Sequence, residues 1–85
     1  MDNRPVRYTK LDSYDYDFEI EDDIIKGIMV YVGSNHGIDI ADIASDINSN
    51  DGNIYVEGHY FRFESMSVET IELDNVRLTI HVTEI

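Results

Sequence analysis

Four carboxylates, Asp15, Asp17, Glu19 and Glu21, occupy every second position of one segment, and Tyr14, Tyr16, Phe18 and Ile20 occupy the positions between them. In an extended strand successive side chains point to opposite faces. This order therefore places four negative charges on one face, about 6.5–7 Å apart, and four apolar groups on the other, toward a core. Such a row does electrostatic rather than covalent work: it meets lysine and arginine as phosphates do. Phosphates of one DNA strand recur every ~3.4 Å of axis, which becomes very roughly 7 Å along the backbone path. Asp22 and Asp23 follow at once, and Asp39, Asp42 and Asp46 recur further on at helical spacing. These nine acids are the candidate contacts to a basic partner. The plainer alternative is a solvated face whose charges guard an edge strand against aggregation. It accounts less well for four like charges in register with no Lys or Arg among them, because such an arrangement is repulsive and surfaces usually intersperse both signs.

The whole chain makes the same point in bulk. It has 85 residues, with 18 Asp and Glu against 6 Lys and Arg, a formal charge of −12. Twelve of the acids and only Lys26 among the bases fall in residues 11–57. Residues 1–10 hold Arg4, Arg7 and Lys10 against Asp2 and read as a basic N-terminal arm; together with the segment after residue 57, which holds five acids against Arg62 and Arg77, they are close to balanced. A field of this sign repels DNA, RNA and anionic membranes, so direct binding to a polyanion is disfavoured and the natural partner is a basic protein surface. With 42% hydrophobic residues, six Tyr and three Phe, the chain holds enough apolar material for a core and is not an acidic disordered tail. Its length suits one domain spanning residues 1–85.

Other chemistries are weakly represented. The absence of cysteine excludes disulfides, thiolate catalysis and Cys-based zinc sites. His36, His59 and His81 show no metal-ligand spacing and read as surface histidines. The stretch Asp46–Glu57 has oxygen side chains at positions 1, 3 and 5 and Glu at 12 of a calcium loop, but Asp51 stands where that loop needs glycine, and Gly52 comes one residue late. Sliding the frame by one puts Ile47 and Gly58 at the ligand positions, so the segment reads as a helix-to-strand turn with at most weak divalent-cation affinity. Asp39–Ala44 superficially resembles the first helix of a helix-turn-helix, yet no second amphipathic helix follows. No general base or lysine accompanies the carboxylates, so no enzyme, no cofactor and no resident metal are expected. Tyr8, Tyr14, Tyr16, Tyr55 and Tyr60 are candidates for aromatic contacts or for core filling.

The elements that must position the acids follow from periodicity. Residues 14–21 form a strand, Asp22-Asp23 a hairpin turn, and Ile24–Val32 a buried strand in which Gly27 marks a bulge. A 3.6-residue period also fits residues 24–32, but their β-branched content favours the strand. Gly33–Gly37 is a loop, and Asp39 caps a short helix whose apolar stripe is Ile40, Ile43, Ala44 and Ile47. Asn48–Asn53 is a turn cluster. Strands follow at Ile54–Glu57, Tyr60–Glu64, Val68–Leu73 and Val76–Glu84, with a bulge or bend at Ser65-Met66-Ser67, where the alternation changes phase, and a two-residue turn at Asp74-Asn75. In the last strand Val76, Leu78, Ile80 and Val82 face inward. The expected fold is α+β: an antiparallel sheet of five to six strands, ordered β-β-α-β-β-β-β, with one helix packed on one face.

The longest apolar run, Ile28–Val32, is too short to span a membrane, and Met1–Pro5 has no apolar signal core, so a cytosolic protein is expected, in the host cytosol if phage-encoded. In size, charge and layout the chain resembles the small acidic inhibitors of phages and mobile elements. These include nucleic-acid mimics that block restriction enzymes, CRISPR effectors or repair enzymes. The resemblance involves no aligned motif and assigns no residue roles. It implies a stoichiometric inhibitor, monomer or homodimer, seated in the basic groove of a nucleic-acid-processing protein. Two alternatives are an immunity or antitoxin protein that neutralises a basic toxin, and an assembly domain that pairs with its own copies through sheet edges.

Overall fold

The computed structural model describes residues 10–33 and 36–85. A short 3₁₀ turn, Lys10–Ser13, leads into β1 (Asp15–Glu21), β2 (Ile24–Val32), α1 (His36–Ser49), β3 (Asn53–Val56), β4 (His59–Glu72) and β5 (Asn75–Glu84). The fold is α+β, with one antiparallel sheet in the order β1-β2-β5-β4-β3.

The β1–β2 hairpin is closed by Asp22 and Asp23, with φ of 54° and 64°. Left-handed backbone at both central residues is what a tight turn matched to strand twist requires, and aspartate tolerates it better than most side chains. The register shifts between Glu19 and Ile20, so that Lys26 has no partner on β1. Beside this bulge lies Gly27, whose missing side chain matters: a Cβ there would sit 2.9 Å from Glu19 Oε1 and 3.3 Å from the Ile80 carbonyl oxygen. A second tight turn, Glu57-Gly58 (φ 51° and 84°), joins β3 to β4.

Alternation along the strands defines the core. Ile28, Val30 and Val32 of β2, Val76, Leu78, Ile80 and Val82 of β5, Ile54 and Val56 of β3, and Phe61 of β4 are buried in one cluster with Leu11 and with Ile43 and Ile47 of α1. Burial of each such side chain contributes about 1.5–3 kcal/mol. The sheet is curled, and the aromatic side of β1 meets the β3–β4 hairpin across the core. The Tyr16 hydroxyl donates to Glu57 Oε2 (2.5 Å). The Phe18 ring lies 5.6 Å from that of His59 and 6.1 Å from that of Phe61, and His59 Nδ1 is 2.7 Å from Glu84 Oε2.

Several expectations need correction. Among the described residues there are five strands, the lower of the two numbers expected: Tyr60–Glu64 and Val68–Leu73 belong to one 14-residue strand. The bulge expected near residues 65–67 is present as a register shift between Phe63 and Ser65, and it bends the strand without ending it. The β4–β5 turn is Leu73-Asp74, one residue earlier than expected, and Glu72 pairs with Asn75. Ile20 is not a core residue but 61% exposed, because it lies at the far end of the edge strand, past the bulge. The helix starts at His36 and takes in Gly37, so Asp39 stands in its first turn rather than at its cap, where a carboxylate still complements the helix dipole. Of the expected stripe, Ile43 and Ile47 are buried, Ile40 is half-buried and Ala44 is exposed. The basic arm and Tyr8 lie outside the described residues, apart from Lys10, which opens the 3₁₀ turn. No helix among the described residues is long and apolar enough to cross a membrane.

Candidate acidic interface

β1 is an edge strand, paired only with β2 among the described residues. Its register sets Asp15 opposite Tyr31, Asp17 opposite Met29 and Glu19 opposite Gly27. Since Ile28, Val30 and Val32 point into the core, these partners and the three acids occupy the opposite, open face of the sheet. The bulge lies on β2, so alternation along β1 continues and Glu21 shares that face. All four acids are exposed, as are Asp22 and Asp23 in the turn. Six acidic side chains thus follow one edge and its terminal turn over a strand that rises about 20 Å.

The open face also holds groups that break the uniformity of the row. Lys26, displaced by the bulge, lines a hollow with Glu19, Ile20 and Glu21. This places a cation beside the far end of the row, which the sequence order alone did not indicate. Glu19 lies over Gly27, toward the middle of the sheet. Beyond β2, Arg77 pairs with Tyr31 in the register and forms an ion pair with Glu69 on β4. His81 Nε2 and Ser67 Oγ are 3.1 Å apart, and the Thr83 hydroxyl donates to Glu64 Oε2 (2.7 Å). Tyr31 and Met29, both half-buried, form an apolar strip beside Asp15 and Asp17. Sequence reasoning missed them as surface groups because it read the whole of Ile24–Val32 as a buried strand. The signal was available: in an antiparallel sheet one face is commonly solvated, and Met29 and Tyr31 alternate with the smallest-period apolar set.

The helical acids do not join this row. Asp39, Asp42 and Asp46 stand on α1, whose Ile43 and Ile47 are buried with the residues of the opposite, core face. Asp39 is half-buried and accepts a hydrogen bond from the Tyr14 hydroxyl. The Tyr14 pKa is raised above its ordinary value, first by burial and then by the hydrogen bond to Asp39 and the nearby charges of Asp39 and Asp42. Asp39 therefore ties the helix to the start of β1. Asp42 is exposed and Asp46 half-buried.

The resemblance of Asp46–Glu57 to a calcium loop has a different structural basis. The Gly52 N–H donates to the Ile47 carbonyl (2.9 Å) and the Asp51 N–H to that of Asn48 (3.2 Å), with Asp51 at φ 59°. This is a Schellman helix ending, with aspartate in the left-handed position that glycine usually fills. Asp46 and Asn48 are helical residues here and do not wrap a common centre. Among the described residues no group of three or more His, Asp or Glu side chains is arranged to hold a metal ion. Compared with known proteins, the chain matches no family model, no curated protein and no solved structure.

Proposed function

We propose that this protein is a stoichiometric inhibitor that sets the acidic edge of β1 against the lysines and arginines of a nucleic-acid-binding groove. One observation carries the reading: Asp15, Asp17, Glu19 and Glu21 share one exposed face of an edge strand, at a repeat close to the phosphate path of DNA. An edge strand can enter a groove, whereas a central strand is flanked by its neighbours. Asp22 and Asp23 extend the charge around the turn. Tyr31 and Met29 supply the apolar contact that charge pairing alone lacks, since affinity concentrates in a few well-packed anchors while charges chiefly steer association. Asp39, Asp42 and Asp46 contribute to the long-range field rather than to the same contact surface.

The test is a competition assay. The wild type is titrated into complexes of duplex DNA with a panel comprising a nuclease, a polymerase and a CRISPR effector, at low and high salt. The expected result is displacement of DNA from at least one of them, weakening as salt rises. The variant D15K/D17K/E19K/E21K should lose it, and Tyr31→Ala should weaken it about tenfold without removing the salt dependence. Displacement unchanged by the charge reversal would overturn the proposal.

A further inference from the structure

The two edges of the sheet are built differently. β3 pairs with β4 only over His59–Arg62, and the Phe63 N–H donates to the Gly52 carbonyl (2.7 Å). From Glu64 to Glu72, β4 pairs with β5 on one side and, among the described residues, forms no ladder on the other. That leaves a nine-residue backbone edge, about 30 Å long. Natural edges are blunted by Lys, Pro or dense charge, as β1 is by its acids. Ser65–Ile71 contains no Lys and no Pro, and Glu69 is its single acid, already paired with Arg77. Apolar side chains are exposed here: Val68 is 54% exposed, Ile71 46% and Leu73, in the turn, 93%.

Beside the start of this edge, at Met66, lies a groove of about 290 Å³ bounded by Ala44, Ile47 and Asn48 of α1, Gly52, and Phe63 and Met66 of β4. An unpaired strand edge beside an apolar groove is the geometry of strand addition. Main-chain bonds supply affinity, and alternate side chains of the incoming strand enter the groove.

We propose that β4, from Glu64 to Glu72, receives an extended segment of another protein as an added strand, with apolar side chains toward the groove and basic side chains toward the open face. Charge selects this occupant. Glu64, Glu69, Glu72 and Asp74 outnumber Arg62 and Arg77 along the hairpin, and the chain as a whole carries −12. A second copy would bring −12 against −12, whereas a basic strand is attracted. This surface is separate from the β1 row, and either can fail without the other.

The probe is the fluorescent peptide Lys-Val-Lys-Val-Lys-Val-Lys-Val-Lys, read by anisotropy and by amide hydrogen exchange on the full chain. Two controls carry the same charge: the peptide N-methylated at every internal residue, and the reordered peptide Lys-Lys-Val-Val-Lys-Lys-Val-Val-Lys. The expected result is protection of Glu64–Glu72 on peptide addition and at least tenfold weaker binding of both controls. Ala44→Trp, which fills the groove from an exposed helix position, and Val68→Lys should each weaken binding about tenfold, while Ile24→Lys, an equal charge change elsewhere, stays within twofold. Equal binding of the N-methylated peptide, or protection of β1 in place of β4, would show a mere counterion and overturn the proposal. So would concentration-dependent protection of β4 without peptide, accompanied by a dimer in sedimentation, because the edge would then belong to a second copy.

Discussion

Replacing Tyr14 by Phe isolates one bond between the helix and the acidic edge strand. The hydroxyl of Tyr14 donates to Asp39 of α1, and the Tyr14 N–H donates to the carbonyl of the fully buried Leu11 (3.1 Å), so this residue joins the 3₁₀ turn, β1 and the helix. Phe keeps the half-buried ring and removes only the donor. A hydrogen bond to a charged acceptor contributes about 1.5–3 kcal/mol when buried, and partial exposure of both groups reduces this to about 1 kcal/mol. In a domain of this size that is a fall in Tm of roughly 4–8 °C at neutral pH. The pH dependence gives an independent check. The folded-state pKa of Tyr14 lies above its unfolded value of about 10, so the folded protein holds the proton more tightly. The stabilisation is complete below pH ~10 and is lost as pH rises through the folded pKa, where a phenolate would face Asp39 and Asp42. Urea melts of wild type and Tyr14→Phe from pH 7 to 11 should therefore show a gap of about 1 kcal/mol that closes above pH ~10. A gap absent at pH 7, or constant through pH 11, would refute the reasoning.

Three further outcomes are expected. Asp51→Gly relieves a left-handed aspartate at the helix end and should stabilise by about 0.5–1 kcal/mol, read as a higher urea midpoint at unchanged m. Leu78→Ala, at a fully buried position in the central strand β5, should cost about 3–4 kcal/mol by the same measurement, a large share of the total stability of such a domain. Raising NaCl from about 20 to 500 mM should increase the wild-type Tm by screening the self-repulsion of the −12 charge, and D15K/D17K/E19K/E21K should show a smaller rise.

Legibility of the fold followed the strength of each local signal. β2 was bounded at its observed ends and β5 to within a residue, because alternation was strict and turn residues stood at the right places. Asp22-Asp23 was recognisable because two aspartates can share a left-handed turn. β4 was divided because a bulge and a chain reversal both interrupt alternation, and only pairing with β5 distinguishes them. The helix start was placed late because aspartate serves equally at a cap and in a first turn. The acidic row of β1 was readable as one face because period two is local. The separation of Asp39, Asp42 and Asp46 from that row was not, because it depends on where α1 lies relative to the sheet. Lys26 came to the row through a bulge marked in sequence only by its neighbour Gly27.

The strand order has a consequence for how the chain reaches this structure. The sheet joins two pieces that are local in sequence, the β1–β2 hairpin and the β3–β4–β5 meander, through a single seam between β2 and β5. Every pair across that seam, from Gly27–His81 to Val32–Val76, spans more than forty residues of chain. The hairpins close small loops and form quickly, while the seam must gather α1 and most of the core in one step. The seam is thus the expected bottleneck of folding, and until it closes the Ile28, Val30, Leu78 and Ile80 side chains lie open to the solvent and to other chains.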